Sequence, residues 1–142
     1  MSEKEVLRAN VTWKGDMEYI GEDSKGHKML MEANQRFGGT GRYPIPLEVL
    51  LISLGGCIGV DARHYLLQSG MSFDSLKVSI EGTRKDEFPR TFEKVNVRLA
   101  IKGCLDPPLV KEVVDQVMTK YCPIAVIFGS TTKMTWEIEI AK

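Results

Sequence analysis

Two periods of apolar and polar side chains alternate along the chain, and each predicts a different element. Through the first third the repeat is two residues, over 6–13, 17–20 and 28–32, with the turn-forming runs Lys14-Gly15-Asp16 and Asp23-Ser24-Lys25-Gly26 between them. A meander or hairpin of strands is predicted there. The glycine-rich stretch 37–41 leads to Pro44 and Pro46, whose restricted backbone favours a helix start. From that point Leu47, Leu50, Leu51, Leu54, Ile58, Ala62 and Tyr65 recur at helical spacing, which predicts one long central helix reaching Gln68.

Past Ser69-Gly70 the period returns to two. Leu76, Val78 and Ile80 predict a strand, 85–90 a polar turn, and Phe92, Val95, Val97, Leu99 and Ile101 a second strand with an irregular start. Asp106 as N-cap and Pro107 at the first helical position open a second helix through Leu109, Val113, Val114 and Val117, ending near Tyr121. Cys122-Pro123 interrupts it. Met134, Trp136, Ile138 and Ile140 close the chain as a strand. The order βββ-α-ββ-α-β predicts an α+β fold, an antiparallel sheet with one long buried helix that carries Cys57.

Length and charge narrow the function classes. The 142 residues suit a single domain over 1–142, and 19 basic against 19 acidic side chains leave no net charge. No basic field points to nucleic acid, and no acidic tail to a basic partner. The opening MSEKEVLRAN lacks an apolar h-region, and no apolar run approaches the roughly 20 residues a bilayer crossing needs, so a cytoplasmic protein without a membrane partner is expected. Three cysteines, Cys57, Cys104 and Cys122, are an odd number, which favours reactive or buried thiols over a disulfide framework. No Cys-x-x-Cys pair or histidine cluster offers a metal site, and no cofactor is expected.

Cys57 lies on the apolar stripe of the central helix, directly after Gly55-Gly56. Paired glycines inside a helix cost roughly 1 kcal/mol each relative to alanine, so a close approach of neighbouring backbone is expected there. The plain alternative is a helix crossing beside an inert buried thiol. Cys122 precedes Pro123, which forces it extended and allows a new short helix to start. That places Cys122 near an N-cap, where N–H groups favour a thiolate. A peroxidatic and resolving pair is one reading of these two cysteines.

The run P-L-E-V-L-L-I-S-L-G-G-C-I-G-V-D at 46–61, together with K-Y-C-P-I at 120–124, resembles the OsmC/Ohr family of osmotically inducible protein C and organic hydroperoxide resistance proteins. Its L-G-G-C form resembles the less characterised branch. The resemblance implies an OsmC-like fold, an intertwined homodimer with sites at the interface, and thiol-dependent hydroperoxide reduction. Cys57 would attack the peroxide, Cys122 would resolve the sulfenic acid, and an external dithiol would restore both. The family also pairs an arginine and a glutamate beside the thiol. Arg36, in Q-R-F-G-G-T-G, matches the arginine, with Arg42 as rival. Glu48 matches the carboxylate, although family members with strong peroxidase character often carry an acid one position earlier, at Leu47 here.

Nine residues of helix are a rise of about 13 Å and a half-turn of rotation, so Glu48 cannot reach the Cys57 of its own helix. It serves the partner subunit or only complements the helix dipole. Asp61, one turn after Cys57, would raise the thiol pKa unless neutralised, and a buried helix-to-loop hydrogen bond is the expected role. His64, about 10 Å along the axis from Cys57, is expected at the surface. Cys104 is expected to be a spectator. The competing reading is a non-peroxidase relative that binds a small apolar ligand, with Cys57 lining the pocket.

Overall fold

The computed structural model of the chain describes residues 3–142. It forms two compact units that divide between Leu50 and Leu51. In the first unit β1 (Ala9–Gly15), β2 (Glu18–Asp23) and β3 (Lys28–Glu32) make an antiparallel meander in the order β1-β2-β3. The register sets Trp13 opposite Tyr19 and Tyr19 opposite Met31. β1 starts later than the alternation suggests, because Val6 and Leu7 are solvent-exposed and lie outside the ladder. Asp23 closes the second turn. Its carboxylate accepts from the backbone N–H groups of Lys25 and His27 and pairs with His27 Nδ1 at 2.7 Å.

The glycine-rich loop is held by a buried carboxylate. Glu32 accepts from Thr40 N–H at 3.0 Å, from the Thr40 hydroxyl and from Arg42 N–H at 3.0 Å. Burial raises the Glu32 pKa, but these donors outweigh it and hold the carboxyl below its ordinary value. Gly39 fits only without a side chain, since a Cβ there would run into the Ala33 carbonyl.

α1 (Pro46–Gln68) runs on into the second unit, which continues with β4 (Ser75–Arg84), β5 (Phe92–Lys102), α2 (Pro107–Gln116), α3 (Pro123–Gly129) and β6 (Lys133–Ala141). The α+β class and the order of strands follow the sequence pattern, with α3 added. Leu54, Ile58, Ala62 and Leu66 form a fully buried i, i+4 stripe on α1. The core also takes Val95, Val97, Leu99 and Ile101 from β5, and Val110, Val114 and Val117 from α2 and the turn after it. β4 pairs antiparallel with β5, but β6 pairs parallel to β5, so the second sheet is mixed rather than wholly antiparallel. The reason is the connection: α2 and α3 carry the chain back across the sheet, as parallel pairing requires.

α1 also corrects the reading of apolar runs. It is long and apolar enough to cross a membrane by length and composition alone. Its buried stripe nevertheless belongs to the core of the second unit. Other apolar side chains on it stay uncovered within the chain, Ile52 at 61% and Val60 at 69% exposure.

Candidate functional site

Cys57 and Asp61 are one turn apart on α1 and share a face. Cys122 reaches them from the other side of the sequence. After α2 the helix widens into an i→i+5 turn over Val117–Tyr121, closed by Cys122 N–H donating to the Val117 carbonyl at 2.9 Å. Pro123 then forces Cys122 into an extended conformation, φ −78° and ψ 107°, and starts α3 at its first position. Tyr65 of α1 stacks on Tyr121 with ring centroids 4.0 Å apart, which ties this turn to the helix bearing Cys57. As a result Cys57 Sγ, Cys122 Sγ and an Asp61 carboxylate oxygen all lie within 4.8 Å of one another. Both cysteines are free thiols; Cys57 is half-buried and Cys122 wholly buried.

Cys122 is the N-cap of α3, and its sulfur accepts from Ala125 N–H at 3.4 Å. The cap is where the sequence places it, but the electrostatic balance is reversed. Burial first, then the hydrogen bond to Cys57, push the Cys122 thiol up to about 12, against the opposing N–H of Ala125. At neutral pH Cys122 is a thiol, not a thiolate, because one weak N–H···S contact does not offset the lost hydration of a charged sulfur.

Asp61 departs from expectation in the same way. Its Oδ2 is buried without a hydrogen-bond partner among the described residues, so the helix-to-loop hydrogen bond is absent and the carboxylate faces the two sulfurs instead. Gly55 fits the expectation of close approach only in part. A Cβ there would sit 3.1 Å from the Ile80 side chain of β4, not against backbone, and one at Gly56 would meet nothing. His64 is exposed, hydrogen-bonded to Gln68, and Cys104 is exposed outside the cluster.

Arg36, Arg42 and Glu48 belong to the first unit. Arg42 is engaged there: its Nη2 pairs with Glu18 at 3.0 Å and its Nε donates to Thr40 Oγ1 at 3.0 Å. Arg36 lies on the short turn Gln35–Phe37, exposed, with its guanidinium over the Phe37 ring and no ion pair among the described residues. Glu48 is exposed in the first turn of α1. Sequence reasoning missed the Glu32 staple and the Tyr65–Tyr121 stack. Glu32 reads as the polar end of a strand, and an aromatic pair 56 residues apart leaves no local signal.

The chain is similar to several known proteins. Protein YhfA of Escherichia coli strain K12 is 27% identical over 135 residues, covering 94% of this chain and 98% of that protein. The OsmC-like protein of Mycoplasma pneumoniae superposes with a TM-score of 0.80 at 17% identity, covering both chains fully. An organic hydroperoxide resistance protein OsmC of Legionella pneumophila superposes with a TM-score of 0.74 at 15% identity, covering 97% of this chain and 99% of that one. Residues 39–137, which include α1 with Cys57 and the turn with Cys122, match the family described as OsmC-like protein, and the chain belongs to that family.

Proposed function

We propose that this chain is a thiol peroxidase that reduces hydroperoxides, organic ones foremost, through Cys57 and Cys122. The observation that carries the reading is the meeting of two thiols from distant parts of the sequence within 4.8 Å. Cys57, the more accessible sulfur, attacks the O–O bond. An S–O bond forms as O–O breaks, the alkoxide takes a proton from solvent and leaves as the alcohol, and Cys57 becomes a sulfenic acid. Cys122 then displaces the hydroxyl group. Its proton leaves with that hydroxide as water, and the two sulfurs join in a disulfide. An external dithiol restores both thiols by exchange, in keeping with a reducing, cytoplasmic setting.

Roles divide naturally between the two sulfurs. Cys122 is held as a buried thiol and does not compete for peroxide, and it reacts once Cys57 presents an electrophilic sulfur beside it. The reading gives Arg36 the task of donating to the Cys57 thiolate and the peroxide oxygens, with Glu48 serving the site of a second copy in a homodimer. Arg42, already bound to Glu18 and Thr40, is not free for that task. A dimer is supported by the uncovered apolar side chains of the second unit, Ile52 and Val60 on α1 and Ile127 on α3. The name of the Legionella relative supports an organic hydroperoxide as substrate.

Peroxide consumption with excess dithiol tests the assignment. Cys57→Ser should consume none, and Cys122→Ser should complete one turnover and then stall with Cys57 oxidised. Equal rates in wild type and Cys57→Ser would end the peroxidase reading and leave the apolar-ligand alternative in its place.

A further inference from the structure

The Cys57, Asp61 and Cys122 donors form an electron-rich cluster: two sulfurs and a carboxylate oxygen within 4.8 Å, with the Asp61 Oδ2 buried and without a hydrogen-bond donor among the described residues. We propose that in the reduced protein this cluster binds a thiophilic divalent cation of the zinc class, held by Cys57 Sγ, Cys122 Sγ and Asp61, with water as fourth ligand.

Three features converge on that class. Donor type comes first: two thiolates select zinc-like ions over magnesium or calcium, which prefer all-oxygen shells. Spacing comes second. Zinc bonds of about 2.3 Å to sulfur and about 2.1 Å to a carboxylate oxygen set tetrahedral donors roughly 3.5–4 Å apart, which side-chain rotation reaches from the observed separation. The third is the open valence of Asp61. A buried carboxylate oxygen without a donor is destabilising, and a cation bound to it removes that penalty. Cys57 and Asp61 are half-buried and Cys122 is buried, so an ion there would be largely shielded from bulk water.

Binding involves no change of oxidation state. The metal forms two M–S bonds and one M–O bond, both thiols give their protons to solvent, and nothing is oxidised or reduced. The site is therefore exclusive with the disulfide, whose sulfurs have no proton to give up and cannot become thiolates. Occupancy would protect the cysteines from peroxide and pin the start of α3 to α1. This inference does not rest on the peroxidase reading, because it concerns equilibrium binding without peroxide.

The test uses Cys104→Ser protein, so that the exposed third thiol is absent, reduced, stripped with chelator and titrated anaerobically with Co2+. One ion per chain should saturate a near-ultraviolet sulfur-to-cobalt charge-transfer band and visible bands of tetrahedral intensity, and Zn2+ should bleach both. Adding Cys57→Ser should abolish the charge-transfer band of the two-sulfur site, Asp61→Asn should weaken binding, and the disulfide form should bind nothing. Far-ultraviolet circular dichroism confirms that each variant is folded. Absence of the band, its survival in Cys57→Ser, or undiminished affinity in Asp61→Asn would overturn the proposal. If Co2+ binds as described while peroxide leaves the thiols untouched, the metal site stands and the peroxidase reading falls.

Discussion

At Cys122 two local influences oppose each other, and pH can separate them. The thiol is raised from an ordinary value of 9.0 to about 12 in the folded chain, burial being the largest cause. Folding therefore keeps a proton that the unfolded chain gives up above about pH 9. The contribution is fully present below the unfolded pKa and is lost as pH rises toward the folded one, with a slope of up to about 1.4 kcal/mol per pH unit. Urea unfolding between pH 8 and 10 should show Cys122→Ala losing less stability with rising pH than wild type; parallel pH profiles would contradict the assignment. Gly56 permits a second prediction at this scale. A Cβ there meets nothing, so Gly56→Ala should raise stability by up to roughly 1 kcal/mol, whereas Gly55→Ala must displace Ile80 and should gain less. Thermal melts of the two variants check the order. Cys57 and Cys122 were legible as a pair because each sits beside an unusual backbone signal. Asp61 was legible in position but not in role, since its missing partner depends on what the fold brings to it.

Elements follow the hydrophobic pattern closely where one face alone is buried. β4 alternates half-buried and exposed residues along its whole length, as Leu76, Val78 and Ile80 foretold. The parallel β5–β6 pairing was not legible, because alternation in Met134–Ile140 carries no direction. The structure adds a tie between α2 and β6 that sequence could not show. Asp115 accepts from Lys111 Nζ at 2.7 Å and from Trp136 Nε1 at 2.9 Å, and these two donors, Lys111 first, hold its carboxyl below the ordinary value. A depressed carboxylate stabilises above its unfolded pKa and stops doing so as pH falls through the folded one. Trp136→Phe removes one donor and should cost about 1–2 kcal/mol, seen as a melting temperature lower by several degrees at neutral pH. An unchanged melting temperature would show that the indole hydrogen bond does not hold α2 to the sheet.

For the whole molecule, the three-stranded sheet of the first unit buries little of its own surface, Val11 and Trp13 being 61% and 63% exposed, and α1 leaves much of its apolar length uncovered. The proposed homodimer would cover such surfaces. Light scattering in dilute solution should give the mass of two chains, and a monomer mass would also remove the route by which Glu48 serves a thiol. Within that dimer Arg36→Ala should lower kcat/KM for peroxide roughly tenfold or more, the scale of one lost charge-assisted contact, with little change in melting temperature. Arg42→Ala should act mainly on the stability of the loop it anchors. Fold and thiol pair were readable from one chain because they depend on pattern and motif; the choice between Arg36 and Arg42 was not, because the Arg42–Glu18 pair joins residues 24 positions apart. The reactive pair itself is tested most directly by adding one equivalent of organic hydroperoxide to reduced Cys104→Ser protein and mapping the products by mass spectrometry. Both remaining thiols should be lost to a single Cys57–Cys122 disulfide within each chain, with one alcohol released. Unmodified thiols after full incubation, or a Cys57 oxidised alone while Cys122 stays free, would contradict it.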